Sequence, residues 1–162
     1  MSVVVSDTSP IRALAHLGRI ELLHLLFGQV LIPPVVAREL EHPPKRFVAV
    51  DPLQFPFIRI QSPQDRQRVR DLSDRSLDPG ECEALALALE IGADAILIDE
   101  AKGRAVAHEL GLVRIGALGV LLRAKQRGHV AEIRSLLDRL QRELGFFISD
   151  SLRHDILTQA GE

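Results

Sequence analysis

The chain has no tryptophan, no tyrosine, one cysteine and one methionine among its 162 residues. A single cysteine excludes an internal disulfide, and Cys82, set among alanines and leucines, reads as a small buried hydrophobe in a reducing compartment. With aromatics limited to six phenylalanines, recognition dominated by base stacking is not predicted. No apolar run approaches bilayer-crossing length, and the first residues lack a basic segment followed by an apolar core and a small-residue cleavage site. The expectation is a cytoplasmic protein without a membrane partner. An excess of one charge is also missing: 20 Lys and Arg face 22 Asp and Glu, a net charge of -2. Only local patches can therefore argue for a polyanionic partner. No glycine-rich phosphate cradle and no Gly-x-Ser-x-Gly elbow occurs, which sets aside P-loop and nucleophile-elbow chemistry. His16, His24, His42, His108, His129 and His154 are scattered without ligand spacing, so a zinc site is not expected.

What is present is a 46% apolar chain of single-domain length, and one domain spanning residues 1–162 is expected. Val3-Val4-Val5 reads as a strand buried on both faces, and the next turn delivers Asp7. Helices are expected from Pro10 to Gly18 and from Ile20 to Leu26, then a strand Gln29 to Ile32 and a helix Val35 to Glu41 opened by Pro33-Pro34. Prolines make 42–53 irregular. A strand over 57–60 and a polar surface helix over 63–74 follow. Asp78-Pro79-Gly80-Glu81 has the pattern of a capping box, with an alanine- and leucine-rich helix running to Gly92. Ala95 to Ile98 is a further buried strand and delivers Asp99. A helix over 101–110, a strand over 112–115 and helices over 118–126 and 130–144 come next. The segment 146–148 suits an edge strand, before a final helix ending near Gln159. This alternation predicts a three-layer α/β/α sandwich with a mainly parallel central sheet.

Four acids stand out. Asp7 and Asp99 follow strands, and in open parallel sheets ligands bind at the carboxyl ends of the strands. Glu39 and Glu81 lie on helices, and Glu81 reaches the same edge only if its helix runs back toward it. Taken singly each has an ordinary role: an N-cap or turn for the aspartates, a capping box for Glu81, a solvated face for Glu39. Together they form a set of hard oxygen donors suited to Mg²⁺ or Mn²⁺, the ions that assist phosphodiester hydrolysis.

The stretches Val4-Val5-Ser6-Asp7-Thr8-Ser9-Pro10, Leu31 to Leu40 around Glu39, Leu77 to Ala88 around Glu81, and Ala95 to Glu100 around Asp99 resemble the four acidic motifs of the PIN domain. The branch most similar is the nucleic-acid-binding group related to VapC-type toxins. The resemblance implies a metal-dependent ribonuclease in which Asp7, Glu39, Glu81 and Asp99 are both catalytic residues and metal ligands. It further implies the folding back of the Glu81 helix, a homodimer and a cognate antitoxin. One departure concerns Leu97, where many members carry Thr or Ser. Thr8 and Ser9 remain as hydroxyls able to support the ligands, and Glu100 as an accessory acid. Glu83 points about 200° around the helix from Glu81, outside the ligand set.

RNA requires positive charge beside the acids. Arg12, Arg38, Lys102 and Arg104 are the candidates, with Lys45-Arg46 and the Arg66-Arg68-Arg70 cluster further along. The function expected is an endoribonuclease, the toxin of a type II toxin–antitoxin pair. A competing reading is a degenerate PIN-like module that binds RNA or a protein without cutting. A phosphatase of the haloacid dehalogenase type would need a second aspartate two residues after Asp7, where Ser9 stands.

Overall fold

Val4 and Val5 in the first strand point to opposite sides and are both buried, so this strand needs a helical layer on each face. A computed structural model describes residues 2–162; Met1, the first residue of the expected domain, lies outside them. Among the described residues the sheet has five strands: β1 (Val3–Ser6), β2 (Gln29–Ile32), β3 (Ile58–Ile60), β4 (Ala95–Leu97) and β5 (Arg114–Ile115). All pairings are parallel, in the order β3-β2-β1-β4-β5. The chain therefore reverses its direction of travel across the sheet at β1, and the crevice between the carboxyl ends of β1 and β4 is the switch point where such sheets bind ligands.

The helices are α1 (Thr8–His16), α2 (Leu22–Phe27), α3 (Pro34–Glu41), α4 (Arg66–Ser73), α5 (Pro79–Ile91), α6 (Ala101–Glu109), α7 (Ala117–Gln126), α8 (Arg134–Leu144) and α9 (Asp150–Gln159). One core joins Val4, Ala95 and Leu97 to α1, α2, α3, α7, α8 and α9. A second joins Val5, Ile96 and Ile98 to α4, α5 and α6. These two cores make the three-layer α/β/α architecture. Period-2 alternation along β1 and β4 assigns each side chain to one core or the other, and each buried Val or Ile contributes about 1.5–3 kcal/mol. No helix among the described residues is long and apolar enough to cross a membrane.

Two expectations need correction. The segment 146–148 is not a strand. Gly145 ends α8 in the left-handed conformation, φ 68°, and the Phe146 N–H donates to the Leu140 carbonyl at 3.1 Å, which ties the chain to the helix end and away from the sheet. The helix expected from Val130 starts at Arg134. Its first donors, Ile133 N–H and Arg134 N–H, are taken by the Glu162 carboxylate at 2.7 and 3.1 Å, a partner from the far end of the chain.

Candidate active site

The carboxyl ends of β1 and β4 open into a cavity of about 880 Å³. Asp7 follows β1 at the N-cap position of α1, with φ -77° and ψ 174°, yet its side chain makes no capping hydrogen bond. Its amide is pinned instead to the Leu97 carbonyl at 2.9 Å, and the side chain lines the cavity while only 4% exposed. Burial pushes the Asp7 pKa up to about 8; the Thr8 amide offsets part of the rise, and the negative charges of Asp78, Glu81 and Glu39 add to it. Desolvation thus favours the protonated form of the metal-free carboxyl.

Glu39, in the last turn of α3, is half-buried and accepts a hydrogen bond from the Thr8 hydroxyl. Arg12 reaches the same turn, its Nη2 donating to the Glu39 carbonyl at 3.1 Å. The two carboxylates meet over Gly80. A Cβ there would lie 3.0 Å from Asp7 Oδ1 and 3.1 and 3.2 Å from the Glu39 oxygens. Glycine thus lets the start of α5 approach the end of β1, and the Glu81 helix does begin at this edge.

Glu81 itself turns away from the opening. The Glu81 N–H donates to Asp78 Oδ1 at 2.8 Å and the Asp78 N–H donates to Glu81 Oε1 at 3.0 Å, closing the capping box. The remaining oxygen, Oε2, is buried without a hydrogen-bond partner and faces Gly103, where a Cβ would come within 2.5 Å of it. Burial raises the Glu81 pKa to about 6; the Asp78 amide works against the rise, and the charges of Asp78 and Glu100 add to it. Asp78, and not Glu81, lines the cavity.

Asp99 lies beyond β4 and faces the same cavity. Ser9 Oγ donates to its Oδ2 at 3.1 Å, and the Ala117 N–H, at the start of α7, donates to Oδ1 at 2.7 Å. Burial lifts its pKa above the ordinary range, while these two donors and the Arg104 charge oppose the rise. Thr8 and Ser9 therefore hold one carboxylate each. Leu97 is wholly buried in the core, and the hydroxyl missing at that position is matched by Ser9 on Asp99. Glu100 lines the cavity without capping α6. Glu83 points elsewhere, into an ion pair with Arg66 at 2.6 Å.

Of the basic residues expected near the acids, Arg12, Arg46 and Arg104 line the cavity, whereas Arg38, Lys45, Lys102 and the Arg66-Arg68-Arg70 cluster do not. Arg114 and Arg123, which the sequence pattern did not single out, do. Their signal was the β5-to-α7 junction, a third strand end at the same edge. Three phenylalanines also reach this cavity: Phe47, Phe146 and Phe147 line it, the guanidinium carbons of Arg12 and Arg46 lie 4.8 and 4.9 Å from the Phe47 ring centroid, and Phe147 is 91% exposed.

Among the described residues no three His, Cys, Asp or Glu side chains already stand close enough together to hold an ion. The donor chemistry nonetheless fits a hard divalent cation, since every candidate is a carboxylate and two of them meet over one glycine. Such an ion would supply the countercharge that desolvated Asp7 lacks.

No curated protein matches the chain at a significant level. A family model described as "PIN domain" matches residues 3–162, nearly the whole length. PIN domains are generally nucleases and typically use divalent metals. An all-parallel five-stranded sheet flanked by helices, with acids gathered at its switch point, agrees with that match, and the chain belongs to the PIN-domain family.

Proposed function

We propose that the protein is a metal-dependent endoribonuclease that hydrolyses RNA phosphodiester bonds, and that it serves as the toxin of a type II toxin–antitoxin pair. One observation carries the nuclease reading: Asp7 and Glu39 converge on Gly80 in a cavity whose wall also holds five arginines, Arg12, Arg46, Arg104, Arg114 and Arg123. Acids alone would repel a phosphodiester, and arginines alone would bind it without cutting. Their combination suits a substrate that is held by its phosphates and hydrolysed at one of them.

Asp7, Glu39 and Asp99 are the residues that would hold Mg²⁺ or Mn²⁺. When bound, the ion supplies Lewis acidity to activate a water and to neutralise charge on the scissile phosphate. The chain's own groups orient the rest. Thr8 fixes Glu39, Ser9 and the Ala117 amide fix Asp99, and Arg104 is anchored through its Nη1 to the Ile98 carbonyl at 2.9 Å. Phe146 and Phe147 line the same cavity and would offer apolar surface to nucleotides flanking the cut.

The test is incubation of purified protein with structured RNAs plus Mg²⁺ or Mn²⁺, beside an Asp7→Asn variant. Cleavage by the first alone supports the assignment, and equal activity removes it. The toxin role predicts growth arrest on expression, relief by a small protein encoded beside it, and a homodimer by light scattering. The absence of three preassembled ligand side chains among the described residues favours a second reading, a module that binds RNA without cutting. Calorimetry with Mn²⁺ separates the two, because such a module shows no binding that depends on Asp99.

A further inference from the structure

We propose that Arg104 and Arg114 together clamp one backbone phosphate of the RNA, the neighbour of the phosphate that is hydrolysed, on the β5 side of Asp99. The inference rests on the ribonuclease reading above and names two of the five arginines on the cavity wall as the pair that fixes where the strand lies. Strand order supplies the placement. Asp7 follows β1, Asp99 follows β4 and Arg114 belongs to β5, and the three strands are neighbours in that order. Arg114 therefore starts two strand spacings, about 10 Å, from the strand that delivers Asp7. Asp99 stands between: Ser9 of α1 donates to its Oδ2, while its Oδ1 faces the start of α7. Arginines beyond Asp99 are placed for the next phosphate along the strand, not for the one held at Asp7 and Glu39.

The two guanidiniums are held side by side, each by one nitrogen. Arg104 and His108 lie one turn apart on α6 and share a face. Arg114 reaches that face from the edge strand, its Nη1 donating to His108 Nδ1 at 2.9 Å, and Arg104 Nη1 donates to the Ile98 carbonyl at 2.9 Å. Among the described residues Nε and Nη2 of both make no hydrogen bond, and neither arginine is ion-paired with a carboxylate. Burial lowers the Arg104 pKa and the Arg114 charge lowers it further, against the opposing charge of Asp99. Two neighbouring cations with open forks suit one shared anion, and the fork matches phosphate oxygens. Space for it is kept by Gly116, where a Cβ would stand 2.9 Å from Asp99 Oδ1 and 3.1 Å from Arg104 Nη1. The acids gathered at Gly80 in the same cavity favour a phosphate of RNA over a carboxylate of a partner protein.

The test is anisotropy-measured binding of a single-stranded oligoribonucleotide at several salt concentrations, in an Asp7→Asn background so that RNA is bound without being cut. Arg104→Gln, Arg114→Gln and the double variant are compared with Arg59→Gln, a control on the exposed side of β3 at the far edge of the sheet. The double variant should bind at least about tenfold weaker. Its slope of log Kd against log salt should fall by about 0.7, the share of one phosphate on a single strand, while each single variant keeps most of the slope. Replacing both arginines by lysine should retain the slope and still weaken binding, because an ammonium lacks the fork. A fall of about 1.4, divided between the single variants, means two separate phosphates and overturns the clamp. Unchanged binding, or a loss matched by Arg59→Gln, overturns it too. Methylphosphonate placed at each linkage in turn locates the contact: the parent should lose affinity, and the double variant should not, at a linkage adjacent to the one that the wild-type protein cuts. Such a difference at the cut linkage itself would refute the placement. RNA cleavage by the double variant at the wild-type rate refutes this inference alone, whereas a wild-type protein that neither binds nor cuts RNA removes the ribonuclease reading with it.

Discussion

Ser9 and Asp99, ninety positions apart in sequence, meet through a 3.1 Å hydrogen bond from the serine hydroxyl to Oδ2 of the aspartate. Ser9 belongs to the first turn of α1 and Asp99 to the exit from β4, so the bond joins the two strand ends that border the cavity. Removing the hydroxyl in Ser9→Ala frees the Asp99 carboxylate to rotate about its remaining anchor, the Ala117 amide. A partner that orients a metal ligand is worth roughly 10- to 100-fold in affinity or rate. Ser9→Ala should weaken Mn²⁺ binding and RNA cleavage together by that order, with a thermal midpoint near wild type; unchanged kcat/KM and Mn²⁺ affinity would show that the hydroxyl is idle.

Gly80→Ala separates stability from function. Gly80 is only the second residue of α5, where alanine's helix propensity adds little, and an alanine Cβ would sit 3.0 to 3.2 Å from the oxygens of Asp7 and Glu39. The variant is expected to stay folded with a stability loss of about 1 kcal/mol, while Mn²⁺ affinity falls disproportionately because the two carboxylates are pushed apart. Chemical denaturation and calorimetry on the same preparation give the two readings.

Asp7 makes a prediction about pH. In the metal-free protein its pKa is about 8, against an ordinary 3.8. Between these values the folded state holds a proton that the unfolded state has released, so stability falls as pH rises through this window, by about 1.4 kcal/mol per pH unit at most, and levels off above pH 8. Denaturation in EDTA at pH 5 and pH 8.5 should show wild type losing more stability than Asp7→Asn over that span. Added Mn²⁺ should restore wild type at the higher pH and leave Asp7→Asn unaffected. Parallel profiles for the two proteins would mean that Asp7 is ionised in the metal-free fold.

Phe147 is 91% exposed on the cavity rim, which makes it a surface for a base and not a support for the core. Stacking of one base on an aromatic ring is worth about 1–3 kcal/mol. Phe147→Ala, made in an Asp7→Asn background so that RNA is bound without being cut, should weaken anisotropy-measured binding of a single-stranded oligoribonucleotide by at least about fivefold. Its thermal midpoint should not move. Equal binding would exclude the ring from the RNA path.

The sequence by itself determined the elements and the layers. Val4-Val5 and Ala95 to Leu97 are apolar runs that demand burial on both faces, and Asp78-Pro79-Gly80-Glu81 is a local helix start whose bonds lie within four residues. It also placed Asp7 and Asp99 at one sheet edge, because strand ends are readable from pattern, while Glu39 and Glu81 joined them only through the resemblance to the PIN-domain motifs. Tertiary structure decided which oxygens face the cavity. Whether Glu81 or Asp78 points inward depends on the fit of α5 against α6 at Gly103 and against β1 at Gly80, contacts between segments distant in sequence. The same holds for Arg114, Arg123 and Phe147, whose positions on the cavity wall follow from how β5, α7 and the link between α8 and α9 pack. Local propensities act over a few residues, whereas a site at the meeting of several elements is set by the packing that brings those elements together.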